Sequence, residues 1–151
     1  MKFAAEKFSD VLPELRELIP LHWAEIAVHK DIPLDPDFDL YGKLAELGVF
    51  RLYTARTDNG KLIGYAGFFV RAGHMHYKGH TWAASDVIWL HPDYRQEGIG
   101  TALAGFWDEQ LKLLGVHVVH VTAKVEHPAL AFMLRGVGYK VVEAGYDKRL
   151  N

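Results

Sequence analysis

The hydrophobic positions of the chain alternate between two periodicities, and the places where one gives way to the other predict its elements. Residues 3–8 make a short first strand. Ser9 or Asp10 then caps a helix with Pro13 in its first turn and an apolar face of Val11, Leu12, Leu15, Leu18 and Ile19. Pro20 interrupts it, because proline lacks an N–H and crowds the preceding turn, and a second helical piece follows over 21–30. The prolines and aspartates of 31–37 make a loop. Asp39 begins another helix, with Leu40, Leu44 and Leu47 inward and Gly48 as its stop.

Period-two runs then take over. Phe50–Arg56 and Leu62–Arg71 read as strands joined by Asp58-Asn59-Gly60, a hairpin-turn sequence. A histidine-rich connection over 73–80 leads to a strand at 85–90. Ile99, Leu103, Trp107, Leu111 and Leu114 recur at helical spacing, and 117–123 is again β-rich. His127-Pro128 opens a short helix through Leu134, and Gly138-Tyr139 turns into a final strand at 140–144. The order β-α-α-β-β-β-α-β-α-β predicts an α/β (mixed α+β) fold, a mixed sheet with helices on both faces. The strands before and after the central helix run parallel. No repeat or linker divides the chain, so 1–151 reads as one domain.

Composition narrows the chemistry. With 151 residues, 50% apolar and 24% charged, the chain can bury a core without disulfides or metal. A net charge of −2 and a pI near 6.5 give no electrostatic footprint for nucleic acid, so none is expected as a partner. The absence of cysteine excludes a disulfide framework, thiolate metal sites and a cysteine nucleophile. Asp35, Asp37 and Asp39 lack the later Gly and Glu of a calcium loop, and no metal is expected. The first residues lack a secretory-leader pattern and no apolar run reaches membrane-spanning length. The expectation is therefore a cytoplasmic protein without a membrane partner.

The richest stretch is Leu90-His91-Pro92-Asp93-Tyr94-Arg95-Gln96-Glu97-Gly98-Ile99-Gly100-Thr101. A strand, a turn with two close glycines and a helix start make an anion cradle: bare backbone approaches the ligand, and the first-turn N–H groups point at it. A nucleotide-triphosphate loop would need Gly-Lys-Ser/Thr, whereas Gly100 is followed by Thr101-Ala102. A dinucleotide fingerprint would need Gly or Ala where Leu103 stands. Arg95-x-x-Gly98-x-Gly100 after an apolar-x-Pro turn resembles the pyrophosphate motif of the GNAT superfamily, the acyl-CoA-dependent N-acyltransferases. The histidine-rich connection, with Ser85-Asp86 and Tyr94-Arg95, is similar to a bacteriophage-encoded branch of that superfamily.

The resemblance implies a twisted, mostly antiparallel central sheet with a splayed parallel strand pair, 86–90 and 118–122, whose wedge admits pantetheine. It implies acetyl-CoA as cofactor, with the backbone of Trp89 and Leu90 along the pantetheine. The run Arg95, Gln96, Glu97, Gly98, Ile99, Gly100 and Thr101 would lie around the pyrophosphate, the Glu97 carboxylate turned to solvent. It further implies direct attack by a neutral amine, on a small molecule, a protein N-terminus or a lysine. Leu134 stands where the family carries a tyrosine that protonates the departing thiolate. A thiol of pKa about 8.5 can leave without an acid, and Tyr139, Tyr146 or water are the remaining donors. Relatives are often homodimers, for which the C-terminal strand and the 73–80 connection would be contact surfaces.

Other side chains are candidates for acceptor chemistry. Asp86 interrupts an apolar strand; burial there would raise its pKa and suit it to act as base or ammonium anchor, the alternative being a structural carboxylate. His22, Glu25 and His29 share a helical face, which in this family roofs the acceptor site, or they form a solvated polar face. His74 and His76 would point the same way if extended, toward the acceptor or into solvent. The expected activity is acetyl transfer from acetyl-CoA to an amine, with Asp86, Glu25 and Tyr139 as the catalytic candidates. The alternatives are a non-catalytic acyl-CoA sensor and a GNAT-fold enzyme turned to nucleobase modification.

Overall fold

The alternating runs pair into one five-stranded sheet. The computed structural model describes residues 1–96 and 98–151. Its elements are β1 (Lys2–Glu6), α1 (Phe8–Ile26), α2 (Phe38–Glu46), β2 (Phe50–Arg56), β3 (Leu62–Arg71), β4 (Thr81–Leu90), a 3₁₀ turn (Pro92–Tyr94), α3 (Ile99–Leu113), β5 (Val116–His120) and α4 (Pro128–Gly136). The strand order is β1-β2-β3-β4-β5. The first four strands pair antiparallel in sequence, and β4 pairs parallel with β5 because α3 crosses between them. No helix among the described residues is long and apolar enough to cross a membrane.

Each face of the sheet carries its own core. Phe8, Val11 and Leu15 of α1 pack on Phe50, Leu52, Leu62, Tyr65 and Trp89, with Tyr41 and Leu44 of α2 at the margin. On the opposite face Leu103, Ala104, Trp107 and Leu111 of α3, with Leu134 of α4, cover Tyr53, Ile63, Ala66, Phe68 and Ala83. In β4, Ala83 belongs to the α3 face but Val87 and Trp89 to the α1 face, although all three are odd-numbered. The cause is one extra residue. Phe68 pairs with Ser85 and Gly67 with Val87, so Asp86 has no opposite residue and the alternation shifts by one.

The helices and the C-terminus depart from the predicted pattern in three places. α1 runs unbroken through both Pro13 and Pro20 and stops at Ile26. Pro20 lies on the exposed side, while Val11, Leu15 and His22 bury the opposite side, and that packing outweighs a lost backbone bond. α2 starts earlier than predicted, because Asp37 is its cap: the carboxylate accepts from Leu40 N at 2.9 Å. That frame turns Phe38, Tyr41, Leu44 and Ala45 inward and leaves Leu40 and Leu47 exposed. The predicted strand at 140–144 does not form; Val141 and Val142 are exposed. Adjacent valines cannot both face one layer, and the segment instead runs on to an ion pair between Arg149 and Asp31 at 2.6 Å.

Phe50 lies so close over β3 that a Cβ on Gly67 would stand 2.6 Å from its Cζ and 2.9 Å from Val87 Cγ2. Gly67→Ala is therefore expected to destabilise the protein by about 1–3 kcal/mol, read as a lower urea midpoint at unchanged slope. An unchanged midpoint would mean that the Phe50 ring can move aside.

Candidate active site

The parallel pair β4–β5 separates part-way along. Pairing runs from Thr81↔Val116 to Ala84↔His120, and β4 continues to Leu90 paired only with β3. Ser85 Oγ still accepts from Thr122 N at 3.1 Å, just before the gap opens. At the far end His91 N donates to Ile63 O at 2.7 Å. Strand alternation then turns the Leu90 N–H and C=O toward the unpaired edge. The chain makes its 3₁₀ turn and enters α3 through Gly98, at φ +74° in the left-handed region that glycine adopts cheaply. Among the described residues no side chain caps α3, and its first turn holds no acidic residue. Its first N–H groups lie outside the helical ladder and form the positive end of the dipole. A Cβ on Gly100 would meet nothing nearer than Leu90 Cδ2 at 3.9 Å, so protein packing does not demand glycine there. A glycine in a helix costs roughly 0.5–1 kcal/mol against alanine; what it leaves is bare backbone for a ligand to approach. Gln96 and Thr101 are exposed beside it, Ile99 is half-buried, and Glu97 lies outside the described residues.

A network from α1 braces this loop. Arg95 Nη1 and Nη2 donate to the two oxygens of Glu25, both at 2.6 Å, and Arg95 Nε donates to Leu90 O at 2.9 Å. Trp89 Nε1 donates to Glu25 Oε2 at 2.9 Å. The hydrogen bonds from Arg95, opposed by partial burial and aided by Trp89, hold the Glu25 carboxyl down to about 2. With both oxygens engaged and the group ionised near neutral pH, its geometry is that of a positioning residue. One turn earlier, His22 stacks on Trp89 (5.9 Å, 22° between planes). Its Nδ1 lies 2.9 Å from Tyr65 Oη, whereas the buried Nε2 has no partner among the described residues. Burial, only partly offset by Glu25 and reinforced by Arg95, pulls the His22 pKa down to about 4, so the ring is neutral at pH 7. Leaving a buried polar atom unpaired costs about 1–3 kcal/mol; among the described residues Arg51 Nε, Tyr53 Oη and Trp82 Nε1 are unpaired in the same way. His22 lines a cavity of about 570 Å³ walled by α1, α2, the connection between them and the inner face of β2–β4.

A family model described as the acetyltransferase (GNAT) family matches residues 13–139. The chain belongs to the GNAT family. A ribosomal-protein-alanine N-acetyltransferase from Brucella melitensis biovar Abortus 2308 is similar at 19% identity, covering 99% of this chain and 100% of that one, with a TM-score of 0.73. An aminoglycoside acetyltransferase from an uncultured soil metagenomic sample, solved with sisomicin, is similar at 22% identity over 98% of this chain and 96% of that one, TM-score 0.74. An acetyltransferase of Trypanosoma brucei follows at 17% identity over 99% of both chains, TM-score 0.69. At these identities the likeness is one of fold. No curated protein sequence matches the chain significantly.

Within the GNAT frame the remaining candidates scatter. Asp86 is exposed, not buried: as the bulge residue it stands where β5 has already left, and its carboxylate accepts from Tyr41 Oη at 2.5 Å. Burial and this carboxylate push the Tyr41 phenol well above its ordinary pKa, so it stays a donor. His29 lines the cavity, 3.8 Å from Asp147 of the C-terminal segment. His74 and His76 lie elsewhere. The 73–80 connection folds on itself through a His74–Tyr77 bridge, His74 stacks on Trp82 at 4.5 Å, and His76 N donates to His74 Nδ1. Tyr139 belongs to the opposite core: its hydroxyl donates to Asp108 at 2.5 Å and accepts from Trp107 Nε1 at 3.1 Å. Leu134, which the resemblance sets at the family's tyrosine, is buried beneath α3. Tyr41 and Tyr65 were missing from the sequence candidates. A frame set by the Asp37 cap would have turned Tyr41 inward, but nothing local marks Tyr65 among the strand aromatics.

The His22 environment has a measurable consequence. Well above pH 6.5 neither folded nor unfolded chain protonates His22 appreciably; as pH falls through 6.5 toward about 4 the unfolded chain takes up a proton that the folded one refuses. Stability is thus full above this window and lost on descending through it, by up to about 3 kcal/mol from this one group. His22→Phe should flatten the fall in urea-unfolding free energy between pH 6.5 and 4 relative to the parent. Equal slopes would mean that the ring is solvated in the native state.

Proposed function

We propose that the chain transfers the acetyl group of acetyl-CoA to an amine. The observation that carries this is the convergence, at the end of β4, of an unpaired backbone edge with a glycine-opened helix start. These residues fit the group: the edge offers Leu90 N–H to an extended pantetheine arm, and Gly98 and Gly100 leave the first turn of α3 bare for a diphosphate. When bound, acetyl-CoA supplies an acyl group activated as a thioester. The chain's own part is to bind, orient and manage charge. Leu90 N–H would be the donor to the acyl oxygen, Arg95 held by Glu25 and Leu90 O fixes the loop, and the cavity beneath α1 would receive the acceptor. The Asp86 carboxylate, beside cavity-lining Tyr41 and Val87, holds an ammonium and takes its proton. Tyr139 gives no acid to this reading, because its hydroxyl is committed to Asp108.

The buried leucine at position 134 favours a second reading, in which acetyl-CoA is bound without turnover. Release of free thiol from acetyl-CoA in the presence of candidate amines separates the two. The first reading is tested by thermal melts with acetyl-CoA, using ATP and NAD as controls. A ligand at a hundred times its dissociation constant adds about 2.7 kcal/mol, raising the midpoint of a domain this size by roughly 5–10 °C. Gly100→Leu should melt within a few degrees of the parent and lose the acetyl-CoA shift. A retained shift would move the phosphate site off this loop, and no shift in the parent would remove acetyl-CoA from the reading.

A further inference from the structure

We propose that Lys124 is a self-acetylation site: its ε-amine takes the acetyl group of the bound donor when no free acceptor fills the cavity. The proposal rests on the acetyl-transfer reading above and adds a modification site on the chain itself. The parting of β4 from β5 places the amine. β5 releases β4 after Ala84, and Thr122 N still reaches Ser85 Oγ at 3.1 Å. Two residues farther along each chain stand Val87 and Lys124, and both line the cavity beneath α1. They are the two lips of the gap, one on each departing chain, and the open edge of β4 meets the cavity between them.

Lys124 is held at this lip by its backbone and left free at its tip. Its carbonyl accepts from His127 N at 3.1 Å, closing the turn that leads into α4. The residue is exposed, and its ammonium enters none of the ion pairs among the described residues. Of the described residues that line the cavity, it carries the one primary amine; the other basic side chains are His22 and His29. A primary amine is what the reaction consumes. Once the ammonium has given a proton to the surrounding water, the Nζ lone pair adds to the thioester carbonyl carbon. A C–N bond forms, the C–S bond breaks, CoA leaves as its thiolate, and the proton still in excess on nitrogen goes to water. Holding amine and thioester at one gap makes the step intramolecular, whereas a remote lysine must meet the donor by diffusion. The product replaces an ammonium at the cavity's edge with a neutral amide.

The test incubates the full chain with acetyl-CoA and no added amine, and follows acetylation of each lysine by peptide mapping. Lys78 and Lys112, near the opposite end of β4, are the internal references. Lys124 is expected to be modified at least about tenfold faster than either, at a rate independent of chain concentration. Gly100→Leu, which should lose the donor, is expected to bring Lys124 down to their rate. A second readout involves no transfer: CoA itself should shield Lys124 from acetic anhydride and leave Lys78 and Lys112 as reactive as before. The inference is overturned if Lys124 is acetylated no faster than the references, or if Gly100→Leu abolishes the acetyl-CoA melting shift yet leaves the lead of Lys124 intact. The two readings fail separately. A melting shift and thiol release with added amines, but no lead for Lys124, removes the modification site alone. Neither melting shift nor shielding removes the acetyl-transfer reading, and the site with it.

Discussion

β4 is held by two neighbours that do not agree on its length. β3 pairs with it as far as Leu90, while β5 releases it after Ala84. Backbone groups in a sheet are normally satisfied on both edges, so the end of β4 carries polar groups that something other than β5 must meet. The single inserted residue, Asp86, lies just past this point of release and shifts the side-chain alternation. Were Asp86 paired in a regular ladder, Val87 and Trp89 would face α3; because it bulges out, they face α1, and Val87 walls the cavity. The open edge supplies the backbone and the bulge supplies the side chains, and both follow from how β4 is paired.

α1 completes the arrangement from outside the sheet. His22 and Glu25 stand three residues apart on one helical face, and both reach Trp89, one by stacking and one through the indole N–H. Glu25 passes the constraint on to Arg95 through a two-pronged fork, and Arg95 ties it to Leu90 O. A partly exposed ion pair contributes little to stability. Its consequence is geometric: the start of the glycine loop, the end of β4 and the roof of the cavity are kept in fixed relation. Arg95 matched the expected phosphate motif by position, but its guanidinium works on the protein's own carboxylate.

Much of this was legible along the chain. The hairpin at Asp58-Asn59-Gly60, β2 and β3 to their ends, the central helix and its glycine entry all follow from local signals, because period, turn chemistry and capping act over a few residues. The shared helical face of His22 and Glu25 was legible too. The signals that misled were equally local. Pro20 reads as a break but lies on the exposed side of a well-packed helix, and residues 140–144 read as a strand but have no buried side to commit to one layer. Asp86 sits in an apolar run, so its neighbours suggested burial; the bulge and the departure of β5 are pairing events that the run itself does not encode.

The sequence by itself determined the order of elements, the glycine-opened entry to α3 and, through that motif, the resemblance that the family model bears out. These depend on φ preferences, apolar spacing and capping, all settled between near neighbours in the chain. Only the tertiary structure decided which atoms are spoken for. Glu25 became the brace of Arg95, Tyr139 was drawn to Asp108 in the opposite core, His74 stacked on Trp82 with His76 against it, and His22 was buried against Trp89 and Tyr65. A side chain's role depends on partners that arrive from distant segments and on the water their packing excludes, and neither is a property of spacing along one strand or helix.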